Sequence, residues 1–239
     1  MVGDHTAVRL LLIRHAESAN NASWTGDAAA FFRLRSADPD LTERGREQAT
    51  RLAAHLEHVG DEPHELITSP LLRALQTTAP ISSALQFPSR VWVDVHELGG
   101  VFTGDPGEPA SIRPQPGLSR AAIEAEVPGI DASSVPVDGW WNGTHEGEAE
   151  RLDRVARVAD ALRLKARAFP DQRVMIVTHG GFASRLIAAL VGVSPTTWFN
   201  LANTSCSEFE LLDDQVRVLS LNDTRHLHGI RALPAYRLT

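Results

Sequence analysis

Two apolar runs without polar interruption stand out along the chain, VRLLLI (Val8 to Ile13) and RVMIVT (Arg173 to Thr178). Such runs fit strands covered on both faces, as in a parallel sheet. Arg14 and His15 fall at the carboxyl end of the first, and His179, Gly180 and Gly181 at that of the second. Helical spacing appears from Thr42 onward through Ala49, Leu52, Ala53, Leu56 and Val59, with Gly60 as a natural stop. It returns over 148–168 through Leu152, Val155, Ala156, Ala159 and Leu162, and after Gly181 through Leu186, Ile187 and Leu190.

Shorter elements lie between. Glu65 to Thr68 predicts a strand, followed by Ser69 as N-cap and Pro70 at the first position of a helix reaching about Leu85, with Arg73 in its first turn. Val91 to Val95 predicts another strand, with Glu97 just past it. The segments SCSEFELL and QVRVLSL around Asp213-Asp214 predict a hairpin of antiparallel strands at a sheet edge.

From Gly99 to Gly139 the periodicity disappears. Six of the fourteen prolines fall there, and only Arg120 to Glu126 reads as helical. The flanking strand and helix belong to one βα alternation, so the stretch reads as an excursion rather than a linker. The expected fold is α/β: a three-layer sandwich with a mostly parallel central sheet, helices on both faces and an antiparallel edge. Residues 1–239 form a single domain in this reading, with an insertion at about 99–139.

A chain of 239 residues with 43% hydrophobic and 22% charged positions can bury a sizeable core, and neither disorder nor a fibrous architecture suits it. The formal charge of −7 argues against nucleic acid and against an anionic membrane surface, so an anionic ligand must be captured locally. A lone cysteine, Cys206, excludes an internal disulfide and reads as a small core thiol. No secretion-like leader and no membrane-length apolar run is seen, which leads to the expectation of a cytoplasmic protein. The ten histidines never occur at HxxxH spacing, and no glycine triplet follows the first strand. Neither a metal nor a dinucleotide cofactor is therefore expected.

In open α/β sheets, ligands bind beyond the carboxyl ends of the strands, so groups delivered there by several strands converge. Here those groups are Arg14, His15, Arg73 and His179. One strand-end histidine would be an ordinary structural residue; the coincidence of four such groups is the pattern of a phosphate pocket. Two guanidinium groups can each grip phosphoryl oxygens bidentately, as a lysine cannot.

The segments LLIRHAES, LTERGREQA, SPLLRALQTTA and VTHGG resemble, in order and spacing, the successive motifs of the histidine phosphatase superfamily, also called phosphoglycerate mutase-like. They run from the first strand to about Gly181. The resemblance implies that His15 is the nucleophile, attacking phosphorus through one ring nitrogen while a backbone carbonyl holds the other as N–H. That requires neutral imidazole, which the two arginines favour. It also implies that Arg73 is the second phosphate clamp, that His179 donates to a phosphoryl oxygen beside the Gly180 amide, and that Asn21 contacts phosphate, with Asn20 as the alternative. Glu97, in VHELGG, matches the carboxylic acid that protonates the leaving group, with His96 and Asp94 as substitutes and Glu17 as a pocket-wall residue. Thr42, in the motif with Glu43 and Gly45, reads as a helix N-cap.

Two departures from the family pattern are visible. Ala16 stands where glycine is commoner. The basic and aromatic segment that grips phosphoglycerate in the mutases is replaced here by LGGVFTGDPGEPASIRP. The expected activity is therefore hydrolysis of a small phosphorylated metabolite through a phosphohistidine intermediate. A cofactor-dependent phosphoglycerate mutase and a noncatalytic phospholigand-binding module are the alternatives.

The expected partner is a small-molecule phosphorylated substrate, with no nucleic acid and no membrane, and a homodimer is left open. The insert holding Trp24, Phe31, Phe32, Arg33 and Arg35 could wall a substrate pocket, with Trp140 and Trp141 opposite, or these aromatics could be core under long loops. His145-Glu146 reads as a surface pair at a helix start. No motif in the insertions identifies the substrate.

Overall fold

A computed structural model of the chain describes residues 7–228 apart from 61, 144 and 214. In chain order it contains β1 (Val8–Arg14), α1 (Ala19–Ala22), α2 (Ala28–Leu34), α3 (Glu43–Val59), β2 (Glu65–Thr68), α4 (Leu72–Leu85) and β3 (Ser89–Val91). There follow β4 (Phe102–Thr103), β5 (Arg113–Pro114), α5 (Arg120–Glu126), α6 (Glu148–Ala168), β6 (Arg173–Thr178), α7 (Gly180–Val191), β7 (Cys206–Leu211) and β8 (Val216–Asp223).

The main sheet runs β3-β2-β6-β1-β7-β8. Its first four strands are mutually parallel, while β7 and β8 complete it as an antiparallel edge. The turn of that hairpin includes Asp214, which lies outside the described residues. Among the described residues no helix is long and apolar enough to cross a membrane.

The uninterrupted runs have the predicted cause. Leu10 and Leu12 of β1, with Val174 and Ile176 of β6, pack on one face against Val155, Val158 and Leu162 of α6 and Phe182 and Leu186 of α7. Leu11 and Ile13, with Met175 and Val177, pack on the other against Leu52 and Leu56 of α3 and Ala74 and Ile81 of α4. Successive residues of a strand point to opposite faces, so two covered faces require an apolar side chain at every position. Helices on both faces make three layers. The excursion carries a core of its own, in which Ile123, Val127, Ile130, Val135 and Trp140 pack on Leu71 and Leu75.

Two predicted boundaries move. The strand read over Val91 to Val95 is instead the short β3 followed by a 3-10 turn at Val93–Val95. The ladder ends where β2 runs out at Thr68, and the chain then bends back across the end of the sheet. Helix α4 starts at Leu72 rather than Pro70, with Leu71 at the N-cap and no side-chain cap on its own strand. Asp38, from the preceding loop, accepts from the Leu72 amide instead (3.1 Å). Arg73 remains in the first turn. The stop at Gly60 holds, its φ of 65° being the left-handed cap that glycine adopts without strain. Cys206 is partly buried at the start of β7.

Candidate active site

The ladder between β1 and β6 pairs Arg14 with Thr178, and the His15 amide donates to the Thr178 carbonyl at 2.8 Å. Both histidines therefore leave the sheet side by side, their ring centroids 5.1 Å apart. Arg73 reaches the same point from the first turn of α4, and its Nε donates to Nε2 of His15 at 3.2 Å. A guanidinium can only donate, so Nε2 is the acceptor and the proton sits on Nδ1, which donates to the Ala16 carbonyl at 2.6 Å. The imidazole is thus held with its lone pair toward the arginine. Its pKa lies well below the ordinary value, through burial first and then Arg73 and Arg14. Burial, rather than the arginines, is the larger cause of neutrality.

His179 is fully buried, and burial, Arg73 and His15 also push its pKa well down. Its Nε2 is 2.7 Å from Ser69 Oγ. That contact occupies the residue expected to cap α4. Arg14 donates to the Leu201 carbonyl at 2.5 Å, and its guanidinium lies against Gly180, where a Cβ would stand 3.2 Å from Arg14 Nε. Asn21 accepts through Oδ1 from Ser18 and from Asn203 Nδ2, which also donates to the His15 carbonyl. Asn20 is tied to the backbone of Ser36 instead.

The segment after His15 is braced by α3. The Thr42 amide and hydroxyl donate to the Glu17 carbonyl and carboxylate, and the Glu17 amide donates to Gln48 Oε1. Thr42 also caps the helix, as expected. A Cβ on Gly45 would stand 2.0 Å from the Glu17 carbonyl oxygen, so this backbone-on-backbone approach admits glycine only.

Arg14, His15, Asn20, Asn21, Arg73, Glu97 and Gly180 line one cavity of about 490 Å³. Glu17, Asp94 and His96 do not, and neither does His179, which is fully buried beside His15. Glu97 accepts from the Leu98 and Phe182 amides through Oε1 and from the Gly181 amide through Oε2 (2.9, 2.9 and 3.3 Å). Glu17 is instead buried behind Thr42 and Arg44. His96 donates through Nδ1 to the Val93 carbonyl and is flanked by Trp140 and Trp141, outside the cavity.

The walls differ in part from expectation. Phe31, Phe32 and Arg35 of the first insert line the cavity, with Trp24 edge-on behind Phe31. Gly100, Phe102 and Asp105 of the excursion also line it, whereas Trp140 and Trp141 do not, and Arg35 lies over the Phe102 ring. Trp141 lies against Gly100 and Trp140 against Gly117, where added Cβ atoms would collide with the rings, so both tryptophans are packing residues.

His145 and Glu146 are not a surface pair. His145 lines the cavity, and Glu146 is buried in a bidentate pair with Arg154 (2.7 and 2.6 Å). Arg154 also donates to the carbonyls of Asp94 and His96 at 2.7 and 2.9 Å, and Glu146 accepts from the Gly99 amide at 3.1 Å. The loop bearing Glu97 is thereby clamped on both sides.

Sequence reasoning gave Ser69 only a capping role and passed over Asp38 and Asn203. Asp38 stands 3.5 Å from Arg73 Nη1 and backs the clamp. Ser69 opens the SPLLR segment and Asp38 precedes the LTERG segment, so both stood next to motifs already singled out.

A model of the histidine phosphatase superfamily (branch 1) matches residues 10–224. A glucosyl-3-phosphoglycerate phosphatase of Mycobacterium tuberculosis is 29% identical over 201 residues, 80% of this chain and 79% of that protein. A phosphoserine phosphatase 1 of Hydrogenobacter thermophilus is 27% identical over 230 residues, 92% of this chain and 94% of that protein. The crystal structure of the α-ribazole phosphatase of Shigella flexneri superposes with a TM-score of 0.60 at 24% identity, covering 90% of this chain and 96% of that one.

Proposed function

The chain belongs to the histidine phosphatase superfamily, and from that premise we propose that it hydrolyses phosphomonoesters of small metabolites through a phosphorylated His15. The relatives named above are phosphatases, which supports hydrolysis over phosphoryl exchange. The observation that carries the reading is the state of His15: neutral, tautomerically fixed by the Ala16 carbonyl, and with Nε2 facing the Arg73 guanidinium.

In the first step the Nε2 lone pair attacks phosphorus in line while the P–O bond to the leaving oxygen breaks. Arg14, Arg73 and His179 take the equatorial oxygens, where charge builds in the transition state. Asn21 and the Gly180 amide add donors at the rim. Glu97 gives a proton to the leaving oxygen. Water then attacks the phosphohistidine, Glu97 takes its proton, the P–N bond breaks, and His15 returns neutral with inorganic phosphate released. Among the acids weighed, Glu97 is the one on the cavity wall, which favours it for this role.

A mutase reading has less support, because the segment after Glu97 brings Gly100, Phe102 and Asp105 to the cavity rather than basic residues. A noncatalytic module would be expected to have lost a member of the Arg14, His15, Arg73 and His179 set, and all four are present. We read residues 1–239 as one domain working in the cytoplasm, where a free thiol such as Cys206 is ordinary. The site is drawn from one chain, so a homodimer is not required for it.

The test is a rapid quench. Brief mixing with a labelled phosphomonoester in excess EDTA should leave acid-labile, base-stable phosphate on His15, and His15→Ala should abolish both label and turnover. Turnover that disappears in EDTA and returns with a divalent ion would refute the mechanism.

A further inference from the structure

Three neighbouring strands of the sheet end side by side, and the residue just past each tip is polar: Ser69 after β2, His179 after β6 and His15 after β1. The Ser69 amide donates to the Val177 carbonyl at 3.0 Å, which carries the β2–β6 pairing one residue beyond Thr68. Main-chain pairing thus seats Ser69 beside His179, as it seats His179 beside His15. Both the serine and the histidine are fully buried, with 2.7 Å between Ser69 Oγ and His179 Nε2.

The available protons decide which of the two donates. The Leu71 amide donates to Ser69 Oγ at 3.3 Å, so the oxygen already has one donor. Its own proton has a single acceptor among the described residues, His179 Nε2. Were Nε2 the donor instead, the hydroxyl proton would be buried without an acceptor. Nδ1 would then be a buried lone pair without a donor, since it has no partner among the described residues. Buried polar groups are rarely left in that state.

With Ser69 donating, the ring, which burial and then Arg73 hold neutral, carries its proton on Nδ1. Nε2 is spent on the serine, so Nδ1 is the end that remains for a ligand. An N–H there can donate to a phosphoryl oxygen, whereas a lone pair would repel it. His15 and His179 are then the same tautomer with opposite working ends. An acceptor at Nδ1 leaves His15 a lone pair for attack, and a donor at Nε2 leaves His179 an N–H for the oxygen.

We propose that Ser69 is a positioning residue of the phosphate pocket: by donating to Nε2 it fixes His179 as the Nδ1–H tautomer, the form that can donate to a phosphoryl oxygen held at His15. The inference rests on the phosphohydrolase reading and deepens it.

Long-range proton–nitrogen NMR correlation of the histidine rings reads the tautomer in the free protein. His179 should be the Nδ1–H form, and an Nε2–H ring would overturn the proposal before any variant is made. Ser69→Ala should let the ring take up the Nε2–H form and lower kcat/KM by roughly tenfold to a hundredfold, mainly through kcat. The loss should be equal for alkyl phosphates and p-nitrophenyl phosphate, because His179 does not serve the leaving oxygen. A ring that stays Nδ1–H in the variant would overturn the proposal. In His179→Ala protein the same substitution should cost nothing further. An undiminished loss there would mean that Ser69 acts only through the Leu71 amide at the start of α4, which also overturns it. Should Ser69→Ala not fold, the unmodified protein still decides: inorganic phosphate should move the His179 Nδ1 proton downfield, and a proton that stays put while His15 responds counts against the proposal. A chain that shows this shift but hydrolyses no ester would refute the phosphohydrolase reading and leave the role of Ser69 standing.

Discussion

Arg73 donates through Nε to Nε2 of His15 across 3.2 Å, so a group that is to grip phosphate rests on the lone pair that is to attack it. Substrate must therefore draw the guanidinium away from the imidazole before the attack. Arg73→Ala should cost on the order of a hundredfold to a thousandfold in kcat/KM, the scale seen when one transition-state donor is lost. It should also raise the His15 pKa toward its ordinary value, because Arg73 follows burial among the causes that lower it. Histidine NMR titration checks the sign. An unchanged or lower pKa would mean that the pair is not electrostatically coupled.

Glu97→Gln keeps the shape of the side chain but cannot give a proton. A general acid contributes about a hundredfold to ten-thousandfold, in proportion to the basicity of the leaving group. Hydrolysis of alkyl phosphates should fall by that much, while p-nitrophenyl phosphate, which leaves as a stable phenolate, should fall far less. Equal losses on both would assign Glu97 to holding the start of α7 rather than to proton transfer.

Arg154 touches nothing in the cavity, yet it donates to the backbone on both sides of Val95 and pairs with Glu146, whose carboxylate accepts from Gly99. Arg154→Lys cannot make these bonds together, so the Glu97 loop should lose its register. Its activity loss should follow leaving-group basicity as that of Glu97→Gln does, and the double variant should be no worse than Glu97→Gln alone. Additive losses would make the pair purely structural. Arg154→Ala should cost about 3–5 kcal/mol of stability, by leaving Glu146 buried without its partner.

Asp38 has its carboxyl pushed up from 3.8 to about 6, by burial first, with Arg73 pulling in the opposite direction. A raised carboxyl pKa means that the folded protein holds the proton more tightly than the unfolded chain. The resulting stabilisation is complete below the unfolded value and lost as pH rises through about 6. Asp38→Asn has no such titration. Its stability relative to the unmodified protein should therefore rise by about 2 kcal/mol between pH 4 and 7, as read by urea unfolding at intermediate pH values. A flat difference would contradict the shifted carboxyl.

The elements and the four central groups were legible because each leaves a local mark: an apolar run ending in histidine, or an arginine just inside a helix start. Asp38, Ser69 and Asn203 leave none, since their partners Leu72, His179 and Asn21 lie 34, 110 and 182 residues away. His145-Glu146 misled for a similar reason. Two polar residues before a helix suggest a solvated cap, and only the arrival of Arg154, two turns into α6, makes the glutamate a buried anchor. Trp140 and Trp141 were placed correctly near the end of the excursion but on the wrong side of it, because bare Gly100 and Gly117 backbone offers flat seats that no periodicity reveals.

The distance between His15 and His179 is set by main-chain pairing of β1 with β6, while much of the wall beyond the phosphate pocket comes from the segments before α3 and between β3 and α6. Reaction and recognition are thus physically separable in this chain. Grafting residues 22–40 or 99–119 from a relative should exchange the metabolite accepted and leave the phosphorylation of His15 intact, so that the sheet serves as a chassis on which new specificities can be assembled one loop at a time.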